Sequence, residues 1–190
     1  MIEEPRNIGK NSITHSTLAN ILEVQRDQAN SPILIVDCRF NYEFEGGHIR
    51  NAVNINDPKQ MQALFFKDRE TVERLMKTIV IFHCEFSQKR GPAMYQALRE
   101  LDRRLHLHCY PQLFFTEIYI LEGGYKQFHE SQPQHCEGGY VPMADKNYKV
   151  DCREKFHDHK VQYKEFEINK REAFLISQKD PMGNIDSQEE

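Results

Sequence analysis

The segment Val80-Ile81-Phe82-His83-Cys84-Glu85-Phe86-Ser87-Gln88-Lys89-Arg90-Gly91-Pro92 holds the residues with the clearest chemistry in this chain. An apolar run ends at a cysteine, five residues follow, and an arginine closes the loop. A phosphate ester carries about two negative charges near neutral pH. A short loop folded round it can aim successive backbone N–H groups at its oxygens. Glu85, Phe86, Ser87, Gln88, Lys89 and Arg90 would form that cradle. Arg90 can complete it with two parallel guanidinium hydrogen bonds, which an ammonium group cannot reproduce. A helix starting at Gly91 would turn its positive end toward the same point. These fields favour the thiolate of Cys84, drawing its pKa below the usual value of about 8.5. Cys84 and Arg90 thus read as nucleophile and anion clamp of a phosphate-ester hydrolase.

Neighbouring polar residues are weighed against blander roles. Ser87 can donate to the cysteine sulfur or to the phosphate, and His83 is expected to orient the loop by hydrogen bonds. Asp37, Arg39 and Glu43 are tempting acid–base groups, but charges at a strand end beside Gly46-Gly47 usually pair with one another and fix loops. Cys38 follows a strand ending at Asp37, and parallel strands end on one side of a sheet, so Cys38 can lie near Cys84. The alternative for Cys38 is a small buried apolar residue, the reading given to Cys109, Cys136 and Cys152.

The elements that must position this loop follow from periodicity. Thr78 to Phe82 suits a central strand, and Pro92 is acceptable in a first helical turn. Met94, Ala97, Leu98 and Leu101 continue a helix from Gly91 to about Arg103. Upstream, Thr14 or Ser16 can cap a helix through Leu18, Ile21 and Leu22, and Ile33 to Val36 is a strand. Ala52 to Ile55 is a short strand, and Met61 to Met76 forms one or two helices. Ile118 to Leu121 is a further strand, followed by Gly123-Gly124 and a short helix from Tyr125 to His129. Alternating helices and near-continuous apolar strands imply an α/β fold with a central, mainly parallel sheet covered by helices on both faces. Ligands in such sheets sit beyond the carboxyl ends of the strands, where Cys84 would be.

Composition narrows the class. At 190 residues the chain has room for one domain with a real core. A net charge of −4, with Lys and Arg scattered, argues against nucleic acid as a partner. No apolar run approaches the roughly 20 residues that span a bilayer, and no secretory signal opens the chain, so no membrane association is expected. Five cysteines, none in a C-x2-C pair, suit a reducing compartment. Nine histidines suggest metal, yet His106 and His108 sit in a short connector and His157 and His159 in a charged tail. No four-ligand spacing emerges, so neither metal nor cofactor is expected.

Beyond the loop, Ile35-Val36-Asp37-Cys38-Arg39-Phe40-Asn41-Tyr42-Glu43-Phe44-Glu45-Gly46-Gly47-His48-Ile49 is followed by Tyr110-Pro111. Ile118-Tyr119-Ile120-Leu121-Glu122-Gly123-Gly124-Tyr125 and Tyr140-Val141-Pro142-Met143 come next. With the H-C-x5-R loop, these blocks resemble, in order, the catalytic domain of the M-phase inducer phosphatases, from about Ser12 to Met143. The resemblance implies a rhodanese-like fold and dual-specificity phosphatase activity on tyrosine and threonine of a cyclin-dependent kinase, through a phosphocysteine intermediate. It also implies a phosphorylated cyclin-dependent kinase–cyclin complex as partner, a monomeric enzyme, and residence in nucleus and cytoplasm. Cys38 matches the cysteine that pairs reversibly with the nucleophile in that family. Glu85 matches a family glutamate and is the candidate general acid. Arg99 and Tyr110 match positions of the surface that docks the kinase.

Two positions depart from the family pattern. Lys89 stands where a glutamate is common, and Ala93 where an arginine is common. A lysine there removes one candidate acid and adds positive charge beside the cradle, which is expected to depress the Cys84 pKa further. The expected organisation is an N-terminal extension over residues 1–12, a rhodanese-like phosphatase domain over 13–145, a charged, partly helical segment over 146–176, and a disordered tail over 177–190. An arsenate reductase of the same fold and a non-catalytic kinase-binding module remain alternatives. A sulfurtransferase is disfavoured, because rhodanese loops are typically one residue shorter.

Overall fold

The computed structural model describes residues 11–27, 33–105 and 111–179. In chain order its first elements are β1 (Ser12–Ile13), α1 (His15–Asp27), β2 (Ile33–Asp37), α2 (Asn41–Glu45), β3 (Gly47–Ile49) and β4 (Val53–Asn54). Next come α3 (Pro58–Phe65), α4 (Arg69–Leu75), β5 (Ile79–His83) and α5 (Arg90–Leu105). The last are β6 (Ile118–Leu121), α6 (Gly124–Ser131), β7 (Cys136–Gly138) and α7 (Lys149–Lys179).

Strands β2 and β5 are rich in β-branched residues and lie side by side in parallel, Ile33 opposite Ile79 through Asp37 opposite His83. β6 flanks β5 in parallel, β1 and β4 close the edges, and the order is β1-β6-β5-β2-β4. Successive side chains of a strand point to opposite faces. Val36, Val80 and Phe82 therefore meet Met61 and Phe65 of α3 and Met94 and Leu98 of α5 on one face. Ile35 and Ile81 meet Leu18 of α1 and Tyr125 and Phe128 of α6 on the other. Both faces are covered, as an all-parallel sheet requires. The antiparallel pair β3–β7 stands apart from this sheet and escaped the sequence reading, as did the two-residue strand β1.

Helix starts follow local chemistry. The Thr17 N–H donates to Thr14 Oγ1 at 3.2 Å, capping α1. Asp57 accepts from the Lys59 N–H and Asp68 from the Thr71 N–H, so the stretch around Met61 to Met76 splits into two helices. α7 extends through Lys179, so Ser177–Lys179 are helical where a disordered tail was expected. No glycine or proline interrupts the helix before Pro181. The rest of that tail lies outside the described residues, as do His106, His108, Cys109 and Tyr110.

A buried ion pair marks the end of β2. The Arg39 guanidinium donates to Asp37 through Nε at 3.0 Å and Nη2 at 2.7 Å, and to the Gly47 carbonyl at 2.6 Å. Its Cζ lies 3.9 Å from the centre of the Tyr125 ring. Asp37 and Arg39 are both fully buried, and they pair with each other as expected from the sequence. Burial works against the Asp37 carboxylate, but His83 and Arg39 outweigh it and hold its pKa below the usual value. Asp37→Asn leaves Arg39 buried without its counter-charge and should cost about 3–5 kcal/mol of stability. A group with a depressed folded pKa stabilises above its unfolded value and loses that contribution as pH falls through the folded one. The denaturation gap between wild type and variant should therefore stay constant from pH 7 to pH 5 and close only below about pH 3.9. Urea titrations at several pH values measure it.

Candidate active site

Strand β5 delivers Cys84 at its carboxyl end, and α5 begins at Arg90, so the five intervening residues form a loop between strand end and helix start. Cys84 is only 4% exposed. Glu85, Ser87 and Arg90 are turned inward, whereas Phe86, Gln88 and Lys89 are exposed on the rim. Ser87 adopts a left-handed backbone with φ 52°, sparsely populated by residues other than glycine. Its buried hydroxyl has no hydrogen-bond partner among the described residues, which leaves it available to an oxyanion.

The loop rests on the start of α6. Tyr125 N–H donates to the Cys84 carbonyl at 2.9 Å and Lys126 N–H to the Glu85 carbonyl at 3.1 Å. Gly124 permits this approach with φ 66°, and a Cβ there would meet the Cys84 carbonyl oxygen and lie 2.6 Å from that of Glu85. The elbow Gly123-Gly124 thus sets the depth of the loop.

Arg90 is fixed by a residue the sequence reading assigned elsewhere. Glu43 takes the Nη1–Nη2 edge of its guanidinium in two contacts, at 2.5 and 3.0 Å. The same carboxylate accepts the Phe40 N–H at 2.9 Å, and the Phe40 ring lies 4.8 Å from Arg90 Cζ. Glu43 was expected to pair locally with its charged neighbours. The turn into α2 instead aims its carboxylate at the loop. With that edge occupied, the Nε side of the fork remains for a bidentate grip on phosphate. Burial raises the Glu43 carboxyl, against the opposing pull of Arg90. The one trace of Glu43 in the sequence is its place three residues after Phe40, from which a glutamate can accept the N–H that opens α2; Phe40 has no side-chain acceptor to complete a capping box.

Glu85 accepts a hydrogen bond from the Tyr140 hydroxyl at 2.5 Å, and its other oxygen lies 4.0 Å from Arg90 Nη2. Tyr140, a positioning partner the sequence reading missed, therefore holds Glu85 beside the arginine. His83 plays a smaller part than expected. Its Nδ1 lies 3.4 Å from the Cys84 carbonyl, while Nε2 has no hydrogen-bond partner among the described residues and sits 3.8 Å from Asp37. Burial pushes its pKa below the usual value. The His83 backbone does more, its carbonyl accepting the Cys38 N–H at 2.8 Å.

That bond, with Asp37 opposite His83, brings Cys38 alongside Cys84, as the parallel strands implied. Both thiols are free and buried. Burial raises the Cys38 pKa well above normal, and the adjacent Cys84 adds to the shift. Arg99, read as a docking residue, is only 8% exposed. Its Nη1 donates to the Phe115 carbonyl and approaches Asp102, whose carboxylate accepts the Phe114 and Phe115 N–H groups. Arg99 thus braces the segment leading into β6. Tyr110 lies outside the described residues. Lys89 is exposed and Ala93 half-buried.

Residues 19–131 match the rhodanese-like domain. Over 150 residues the chain is 41% identical to an M-phase inducer phosphatase of Dictyostelium discoideum, covering 77% of this chain and 14% of that protein. It is 39% identical over 160 residues to M-phase inducer phosphatase cdc-25.3 of Caenorhabditis elegans, covering 78% and 50% respectively. The chain thus spans half or less of the length of these relatives. A solved Saccharomyces cerevisiae homologue of single-domain rhodanese and the Cdc25 phosphatase catalytic domain aligns with 70% of this chain and 89% of its own. That alignment has a TM-score of 0.49 and 22% identity.

Two outcomes follow from the geometry. Glu43→Gln releases the Arg90 fork and should lower kcat/KM on a small aryl phosphate about 100-fold, the scale of a 1 Å misplacement. Steady-state kinetics on folded variant protein checks this. After mild peroxide, peptide mapping should find Cys38 linked to Cys84, with reversal by dithiol. In Cys38→Ser the reduced protein should behave normally, and oxidation should then proceed irreversibly at Cys84.

Proposed function

Because the chain belongs to the rhodanese-like family and shares its blocks with the M-phase inducer phosphatases, we propose that it is a dual-specificity protein phosphatase. Its proposed substrate is a cyclin-dependent kinase–cyclin complex bearing inhibitory phosphates on tyrosine and threonine, and its action promotes the onset of mitosis in nucleus and cytoplasm. The observation that carries the reading is the loop itself: Cys84 at the end of β5, and Arg90 held by Glu43 at the start of α5.

The chemistry follows from these positions. The Cys84 thiolate attacks phosphorus as the bond to the substrate oxygen breaks, and Arg90 with the loop N–H groups takes up the charge on the three remaining oxygens. The departing oxygen acquires a proton, for which Glu85 beside Arg90 is the candidate donor. Water then attacks the phosphocysteine, the S–P bond breaks, and inorganic phosphate leaves with the thiolate restored. Tyr140 keeps Glu85 in place for the first step. Lys89, exposed on the rim, adds charge to the approach and cannot replace an acid at neutral pH. With Arg99 committed to the fold, docking of the kinase would fall to the rim of Phe86, Gln88 and Lys89, with Tyr110 from the resemblance.

Purified protein tested side by side on a phosphorylated cyclin–kinase complex, an aryl phosphate and arsenate with a thiol reductant decides the matter. Turnover of the first two without arsenite formation is the expected result. Arsenite production without protein dephosphorylation would replace this reading by the reductase, and inactivity on all three by a binding module. Cys84→Ser should abolish turnover while oxyanion binding stays measurable. Arg90→Lys should lose most activity, because the ammonium has no bidentate edge.

A further inference from the structure

The last helix lies across the site just described. Over residues 149–165 of α7, only Cys152, His159, Gln162 and Tyr163 are shielded from solvent. Cys152, His159 and Tyr163 are spaced seven and four apart and share one helical face. The His159 ring meets the Phe40 ring edge-on at 6.4 Å, and Phe40 is the ring against Arg90. The Tyr163 ring packs on His159 at 4.4 Å, and its hydroxyl lies 3.9 Å from Met94 Sδ. Tyr163 joins the apolar cluster that contains Cys38 and Cys84. Burial raises the Tyr163 pKa, with Cys38, Asp57 and Cys84 adding to the shift. Arg90 likewise acts on His159, whose pKa is pushed down first by burial.

Among the described side chains, residues 149–165, the attachment is slight. Apart from the narrow seam, α7 is tied by Lys59 Nζ to Glu165 at 2.8 Å, both side chains more than half exposed, and near its start by Tyr148 stacked on Tyr42 at 4.7 Å. Exposed pairs of this kind contribute little. Val150, Phe156 and Val161 remain exposed, so over residues 149–165 the larger aliphatic and phenyl side chains face away from the seam.

We propose that α7 is a displaceable strap over the phosphate site. Docked, His159 and Tyr163 close the approach to Cys84 and Arg90; lifted, they open it to a phosphorylated side chain on a folded protein. The identity of that substrate rests on the phosphatase reading, whereas the strap itself rests only on the contacts of α7. The device holds the nucleophile in reserve until something competes for the helix or its seam.

Alkylation of Cys84 by iodoacetamide in the full chain, quantified by mass spectrometry of its peptide, tests the strap without any phosphatase assay. Glu165→Lys sets like charges at the surface bridge and should raise the alkylation rate about two- to fivefold, the span of an exposed pair. Adding Lys59→Glu should restore the wild-type rate. His159→Ala with Tyr163→Ala should raise it about tenfold or more, and Tyr163→Phe, which keeps the ring, should leave it near wild type. Unchanged or slower alkylation in both Glu165→Lys and the alanine pair overturns the strap. Faster alkylation in a protein that hydrolyses no phosphate ester keeps the strap and overturns the phosphatase. Normal hydrolysis with unchanged alkylation does the reverse.

Discussion

A carboxylate buried beneath the loop, that of Glu43, orients the arginine on which phosphate binding depends. Both partners are almost completely withdrawn from water, so neither charge is tolerable alone. Their bidentate contact, reinforced by the Phe40 N–H, converts that cost into a geometric constraint. The guanidinium can rotate only if the carboxylate moves, and the carboxylate is held by the first turn of α2. A flexible side chain thereby becomes a rigid part of the cradle. The chain segment after β2 and the loop after β5 are locked together through one pair of charges.

The sheet makes this lock possible. Parallel strands in register end at the same level, so Asp37 and His83 face each other and the residues that follow them enter the site together. Cys38 and Cys84 are neighbours for that reason, and Glu43 arrives within reach of Arg90 one short turn later. From the other side, Gly124 brings α6 so close that its first N–H groups bind the carbonyls of Cys84 and Glu85. These carbonyls would otherwise be buried without donors, at a cost of about 1–3 kcal/mol each. The loop is satisfied from behind, by the start of α6.

Much of this was legible in the sequence. The four longest or most apolar strand candidates are real, because continuous β-branched runs have few other uses. The Cys84–Arg90 spacing picked out the loop because it falls between a strand pattern and a helix pattern, and the structure sets Cys84 after β5 and Arg90 at the start of α5. What escaped is informative about why. β1 and the β3–β7 pair are too short to show period-two patterning, and they exist through tertiary pairing. Glu43 looked like a local partner for Arg39, since proximity in sequence is visible and proximity across the sheet is not. Arg99 was assigned to docking because it matches a position of the family's docking surface, and such a match says nothing about burial. Its role is instead to satisfy the Phe115 carbonyl beside a buried Asp102.

α7 was expected as a charged, partly helical segment, but its seam against the site was not legible, and physics accounts for it. Over residues 149–165 its shielded face consists of a cysteine, a histidine, a glutamine and a tyrosine, so no apolar stripe announces that face. Such a seam contributes little area to the core, yet it lies where the chemistry is most sensitive. The floor of the site is held by strand register and a buried ion pair, the roof by a few rings and an exposed bridge. A reactive thiol in a cationic cradle is also the group most open to oxidation. Cys38 lies beside Cys84 through the register of β2 and β5, whereas Tyr163 reaches the same cluster from a helix outside the sheet. The proposed strap can therefore lift while the geometry of the cradle stays constant.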